Sequence, residues 1–308
     1  MRYSVFLLAF GALAATLFTP VAIRCARLLG AVDIPDGKRH LHAHPTPRLG
    51  GLALFFSSVL LSLAFVPLDV TVAAWLSGGA LLVALGVSDD LYTLSPLVKL
   101  SAMLAVCALP AAFGLAPHVL AFGEYSLTLP HPLANLFSLF WVLLLINAFN
   151  LIDGSDGLCP SLSLVGALAL FFSCAHPVSL LLFGVTLGFL PYNLPLRTPF
   201  WEAGKTRTRS FLGDTGALFL GYSLAVLSLE KSVFSLATPL FFALPIFDLA
   251  RVFWHRLLRG KNPFRADRSH LHHRLAAHGY TTGTLLLLCV LYASLFASVG
   301  LLLQMIAG

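Results

Sequence analysis

The sequence predicts an all-α fold: a polytopic membrane protein with about ten transmembrane helices and both N- and C-termini periplasmic. Three observations predict it. Hydrophobic residues make up 58% of the 308 positions and charged residues only 10%, with a mean hydropathy of +0.89. Soluble domains carry about 25% charged residues, so a water-soluble enzyme is excluded. The apolar residues also fall into continuous runs, each near the ~20 residues a helix needs to cross hydrocarbon. Barrel strands would instead alternate strictly over roughly ten residues. No block is left over for a soluble domain, so residues 1–308 read as one integral-membrane unit.

The runs follow in order. The first, 4–23, is preceded by Arg2 as a signal peptide would be, but it is long and is followed by Arg24 and Arg27, which favours a retained anchor. Further runs occupy 50–68, 70–87, 97–116, 132–150, 159–176, 178–196, 211–229, 232–250 and 281–304. If the chain starts outside and alternates, the connectors 24–49, 88–96, 151–158, 197–210 and 251–280 share one face. Of the 19 Lys and Arg residues, 17 then lie on that face, counting Lys99 just inside its helix; Arg2 and Lys231 lie opposite. The positive-inside rule makes the basic face cytoplasmic. Five scattered cysteines form neither a disulfide framework nor a zinc spacing.

The acids carry the chemistry. Ten of the 13 fall on the basic face, although the positive-inside rule makes no demand on Asp or Glu. Carboxylates at helix ends need a partner or a cation. Taken singly, each can be a cap or an ion pair; as a set they recur inside compact polar signatures. The first connector holds Lys38, Arg39, Thr46 and Arg48, then Gly50-Gly51 entering the second run. Asp89-Asp90 ends the third run, with Lys99 on the next; adjacent carboxylates are tolerated beside an ammonium or a divalent cation. Asn147, Asn150 and Asp153 are spaced by three, on one side of a helix end, before Gly154, Asp156 and Gly157. Two amides there need partners, which a polar ligand would supply. Gly213-Asp214-Thr215-Gly216 opens the eighth run. An N-cap is the plain reading, and the glycines suit close approach of a metal or phosphate. The last connector places Arg268, His270, His272, His273 and Arg274 together. Zinc would need further ligands at spacing, and the arginines favour phosphate. Arg256, Arg259 and Lys261 suit anionic headgroups. The sum is one face holding carboxylates for Mg²⁺, a lysine, and His and Arg for phosphates, which fits phosphoryl transfer between a soluble diphosphate and a bilayer lipid.

The segments PTPRLGG (45–51), DD (89–90) with Lys99, NAFNLIDGSDGL (147–158), FLGDTG (211–216), PIFDLARV (245–252) and DRSHLHHRL (267–275) occur in one order. Over nearly the whole chain they resemble the polyprenyl-phosphate N-acetylhexosamine-1-phosphate transferases of glycosyltransferase family 4. The histidine motif is similar to that of the undecaprenyl-phosphate GlcNAc-1-phosphate transferase branch. The resemblance implies transfer of GlcNAc-1-phosphate from a UDP-N-acetylhexosamine to undecaprenyl phosphate, releasing UMP and starting a cell-envelope polysaccharide such as O-antigen. It implies Mg²⁺, with Mn²⁺ as the substitute, and a multi-pass location in the bacterial inner membrane with a cytoplasmic site.

By the same resemblance, Asp214 and Asp89 are metal ligands, and Asp89 and Asp90 position or deprotonate the lipid phosphate. Lys99 binds phosphate, and Asp153 and Asp156 face the nucleotide. Asn150, Asn193, His270, His272 and His273 match substrate-contact positions, and Lys38, Arg39, Thr46, Asn147, Arg268 and Arg274 are added as candidate substrate contacts from the sequence itself. The partners are the two substrates and membrane lipids, with a homodimer left open and no nucleic acid. Two departures stand out. The stretch 197–210 is long, with Phe200 and Trp201 suited to headgroups, which puts Asn193 in question; Ala217 stands where serine is usual. A lipid transporter is the rival from another class, but its ionisable groups belong near the midplane, with internal repeats. Other UDP-sugars, phospho-MurNAc-pentapeptide or 6-deoxy-N-acetylhexosamine, are the rivals within the class.

Overall fold

A computed structural model describes residues 2–34, 45–197, 206–230, 233–260 and 271–307. Most of the described residues are helical. In order come α1 (Arg2–Leu29), strands β1 (Val32–Asp33) and β2 (Thr46–Pro47), α2 (Gly51–Phe65), α3 (Val70–Tyr92), α4 (Pro96–Cys107) and α5 (Leu109–Ala112). A hairpin of β3 (Val119–Phe122) and β4 (Tyr125–Thr128) precedes α6 (His131–Ile152), α7 (Leu158–Cys174) and α8 (Pro177–Asn193). Then follow β5 (Leu196–Arg197), β6 (Thr206–Arg207), α9 (Gly213–Ser228), β7 (Val233–Ser235), a 3₁₀ turn Thr238–Phe242, α10 (Ala243–Leu258), α11 (Leu271–Ala277) and α12 (Thr282–Ala307).

A helix stands at each of the ten predicted runs. Among the described residues, four segments are long and apolar enough to cross a membrane: Val5–Leu29, Val70–Tyr92, His131–Ile152 and Thr282–Ile306. Gly51–Phe65, Pro96–Ala112, Leu158–Cys174 and Pro177–Asn193 are apolar but shorter. Local chemistry sets several starts. The Asp69 carboxylate accepts the Val72 N–H at 2.8 Å ahead of α3, and Ser95, with Pro96 following, caps α4. Two runs differ from their predicted form. The fourth is divided at Ala108, with Pro110 in the short second piece, because proline cannot donate to the preceding helical turn. The ninth begins as β7 and the 3₁₀ turn and continues helically to Leu258, with His255 and Arg256 in a last turn that favours cations.

Helix α9 is the centre. Every residue from Thr215 to Ser228 is buried, the mark of a helix surrounded by others. It packs on α3 and α6. Across the α3 contact, Trp75 Nε1 donates to Ser223 Oγ at 2.7 Å and Tyr222 Oη donates to the Ala74 carbonyl at 2.8 Å. Trp141 of α6 donates to Ser228 Oγ at 2.7 Å. Paired polar groups of this kind are what an apolar bundle requires. Because α9 is held on two sides, its first turn is fixed in space.

Candidate active site

At that first turn three helix ends meet: the end of α3 with Asp89 and Asp90, the start of α4 with Lys99, and the start of α9 with Asp214. The Asp90 carboxylate accepts the backbone N–H groups of Asp214 and Thr215, each at 3.1 Å, and the Thr215 hydroxyl at 2.7 Å. Helix starts leave N–H groups without partners, and here a carboxylate from another helix supplies the acceptor. Asp89 faces the other way. Its Oδ1 accepts the Leu94 N–H at 2.7 Å, closing the corner between α3 and α4, and its Oδ2 accepts from Lys99 Nζ at 3.1 Å. The same ammonium is ion-paired to Asp214. The side chains of Lys99, Asp89 and Asp214 keep 18%, 17% and 27% exposure, so the trio is not sealed inside the protein.

The backbone around α9 comes from a motif far away in sequence. Phe211 N–H donates to the Pro47 carbonyl at 2.8 Å, Gly50 N–H to the Phe211 carbonyl at 3.1 Å, and Gly51 N–H to the Leu212 carbonyl at 2.9 Å. The segment 45–51 therefore lies along 210–216. Gly213 has φ +72°, and a Cβ there would run into the Arg48 carbonyl and Asp90 Oδ2. A Cβ on Gly51 would meet the backbone of Gly216. The sequence suggested that the glycines flanking Asp214 admit a metal or phosphate; in the structure the space beside Gly213 is taken by the Arg48 main chain and the Asp90 carboxylate. Arg48 pairs with Asp33 at 3.0 Å. Thr46, at 3% exposure, lies in β2 opposite Asp33.

The end of α6 completes the cluster. Burial raises the Asp153 carboxyl well above the usual range, and the charges of Asp90 and Asp156 add to it. Asp156 accepts the Thr208 hydroxyl. Asn193 is buried; its Oδ1 accepts the Gly157 N–H at 2.9 Å and its Nδ2 donates to the Ser210 carbonyl at 3.0 Å. It thus braces the α6–α7 loop against the strand leading into α9. Asn147, half-buried, donates to the Leu143 carbonyl one turn back at 2.8 Å, so its partner is its own helix. Asn150 is half-buried in the last turn of α6.

The structure therefore brings Asp89, Asp90, Lys99, Asp153, Asp156 and Asp214 together, with Asn193 as a brace behind them. Lys38, Arg39, Arg268 and His270 lie outside the described residues, as do Phe200 and Trp201. His272 and His273 fall in α11, with side chains outside the described set, and Arg274 is exposed on the same helix. Sequence reasoning passed over Thr215 and Thr208, which hold Asp90 and Asp156. The first stood inside the Asp-Thr-Gly signature; the second had no signal.

Among the described residues, no three Asp, Glu, His or Cys side chains form a ready metal cage. Asp89 and Asp214, gathered on one ammonium, do form a pair of oxygen donors. Mg²⁺ is commonly bound by one or two carboxylates, with waters and substrate phosphates completing its shell, and this donor set fits that mode.

Comparison with known proteins follows the same lines. The family model described as Glycosyl transferase family 4 matches residues 72–232, a little over half of the chain. The chain is 35% identical over 303 residues to the probable undecaprenyl-phosphate N-acetylglucosaminyl 1-phosphate transferase of Bacillus subtilis (strain 168), covering 91% of this chain and 79% of that protein. It is 30% identical over 304 residues to the undecaprenyl-phosphate alpha-N-acetylglucosaminyl 1-phosphate transferase of Escherichia coli (strain K12), covering 93% and 80%. It is also 30% identical over 323 residues to the decaprenyl-phosphate N-acetylglucosaminephosphotransferase of Mycobacterium tuberculosis (strain ATCC 25618 / H37Rv), covering 90% and 76%.

Proposed function

The chain belongs to glycosyl transferase family 4, and on that premise we propose that it transfers GlcNAc-1-phosphate from UDP-GlcNAc to undecaprenyl phosphate. An oxygen of the lipid phosphate bonds to the phosphorus that bears the sugar. The bond from that phosphorus to the bridging oxygen breaks, UMP leaves with the electron pair, and a polyprenyl-diphosphate sugar remains. Attack is direct: a phosphate monoester has its second pKa near 6 and is largely dianionic at neutral pH, so no side chain has to deprotonate it. The barrier lies in bringing two polyanions together and holding them in line.

The single observation that carries this reading is the Lys99 ammonium between Asp89 and Asp214, at 18% exposure, where three helices end. Asp89 aims the ammonium, and the ammonium meets the incoming phosphate. Asp90 holds the first turn of α9, and Asp153 and Asp156 line the nucleotide side. The histidine motif 270–273, with Arg268 and Arg274, takes the donor diphosphate, and Lys38 and Arg39 add positive charge at the entrance. Asp214 with Asp89 would hold Mg²⁺, which when bound draws charge from phosphate oxygens. The chain crosses the bacterial inner membrane about ten times, with termini outside and this site at the cytoplasmic surface, as the lysine and arginine distribution favours.

The test uses the purified full chain with undecaprenyl phosphate and radiolabelled UDP-GlcNAc. Label enters a butanol-extractable lipid with one UMP per lipid formed, EDTA stops it, and Lys99→Ala lowers kcat/KM about a hundredfold, the scale of one lost charge-stabilising donor. A panel including UDP-MurNAc-pentapeptide and a 6-deoxy sugar donor decides among substrates. No lipid product from any donor, together with movement of lipid between leaflets, would make the chain a transporter.

A further inference from the structure

A buried carboxylate ties the helix that carries part of the histidine motif to α10. Asp248, on α10, is 1% exposed. Its Oδ1 accepts the Leu271 N–H at 2.9 Å and an Arg251 Nη at 2.8 Å. Leu271 is the first described residue of α11 and lies in sequence between His270 and His272, so the bond is made to the main chain within the motif. A carboxylate buried to this degree stays ionised only with fixed partners. Arg251, three residues on, supplies the charge and leaves the oxygen aimed at the start of α11. Helix α11 is also seated by Leu271 and Leu275, which pack against the apolar core. A carboxylate is among the preferred acceptors at a helix start. This one comes from a different helix, so it fixes where α11 sits as well as that it forms.

We infer that Asp248 is a positioning residue: by capping α11 it sets the placement of the histidine motif, and so the affinity for the donor diphosphate. This rests on the proposed reading that residues 270–273 take that diphosphate. Asp248→Ala removes the acceptor. Asp248→Asn keeps a carbonyl oxygen for Leu271 and gives up only the charge toward Arg251.

The experiment compares these two variants and His272→Ala with the parent chain. It reads KM for UDP-GlcNAc, KM for undecaprenyl phosphate, and backbone hydrogen exchange over 271–277. Asp248→Ala is expected to raise KM for UDP-GlcNAc about tenfold, the factor that a lost cap of ~1.4 kcal/mol gives. It should leave KM for the lipid unchanged and speed exchange at Leu271; Asp248→Asn should restore most of both. Equal loss for both substrates, or parent-like exchange at Leu271 in Asp248→Ala, overturns the inference. If Asp248→Ala does not fold, the parent chain decides. Asp248 is the acceptor that shields the Leu271 amide, so Leu271 exchanging as fast as a loop amide refutes the cap. A normal donor KM in His272→Ala would instead overturn the diphosphate reading of the motif, while the exchange data still judge Asp248.

Discussion

Replacing Asp90 by alanine should unfasten the start of α9. The substitution strips the acceptor from two backbone N–H groups and one hydroxyl, at 3.1, 3.1 and 2.7 Å. A lost cap costs about 0.5–2 kcal/mol, and a hydrogen bond to a charged acceptor about 1.5–3 kcal/mol. Water recovers part of that at a half-buried site, so a net loss of ~2–4 kcal/mol follows. For a chain of this size that lowers the melting temperature by about 4–8 °C, at roughly 2 °C per kcal/mol. Asp90→Asn keeps one acceptor and should fall about midway. Thr215→Val, which removes only the hydroxyl, should cost ~1 kcal/mol. The double variant should fall short of the sum of the single losses by roughly 1 kcal/mol, because the two groups share one bond. The assay is thermal unfolding in detergent, run beside turnover. An Asp90→Ala protein that melts with the parent but turns over nothing would mean that this carboxylate serves substrate rather than the helix.

Two further outcomes follow from the geometry. Gly213→Ala places a Cβ against the Arg48 carbonyl at a residue of φ +72°; the left-handed conformation alone costs about 1–2 kcal/mol, and the clash adds to it, so the yield of folded protein should drop, as size-exclusion would show. Asp153 is protonated more readily in the folded chain than in the unfolded one, because burial, then Asp90 and Asp156, raise its carboxyl. The folded state therefore binds the extra proton, and its stability falls as pH climbs from the usual carboxylate range through the raised value. Asp153→Asn should accordingly melt higher than the parent at neutral pH with no substrate present, and the gain should vanish in acid. An equal gain at both pH values would refute this cause.

Much of the frame was legible because hydropathy reports burial in lipid and protein alike: each apolar run holds a helix. What it could not report is where a run breaks. The Cys107–Leu109 interruption sits in unbroken apolar sequence, and the β3–β4 hairpin, turned at Gly123 with φ +59°, is too short for a window of membrane length. The site residues were legible as types but not as tasks. Asp89 and Asp90 are adjacent, and one step along a helix turns a side chain by about 100°; one carboxylate therefore reaches Lys99 while the other reaches α9. Asn193 entered as a substrate contact through the family resemblance alone, and its amide instead bridges Gly157 and Ser210, two loops of the same chain. The glycines of 213–216 read as room for a ligand, yet that segment and 50–51 fill each other's space, a pairing that no local pattern announces.

That pairing also dictates a timetable for biosynthesis. Ser210 and Pro47, which meet at 3.5 Å, are 163 residues apart. At about 5–20 residues per second of synthesis, the ribosome needs on the order of ten to thirty seconds to deliver the second partner after the first. Throughout that interval residues 45–51 have β1 beside them but not the 210–216 segment they finally lie along, and a nascent chain released before residue 216 lacks half of the reaction centre.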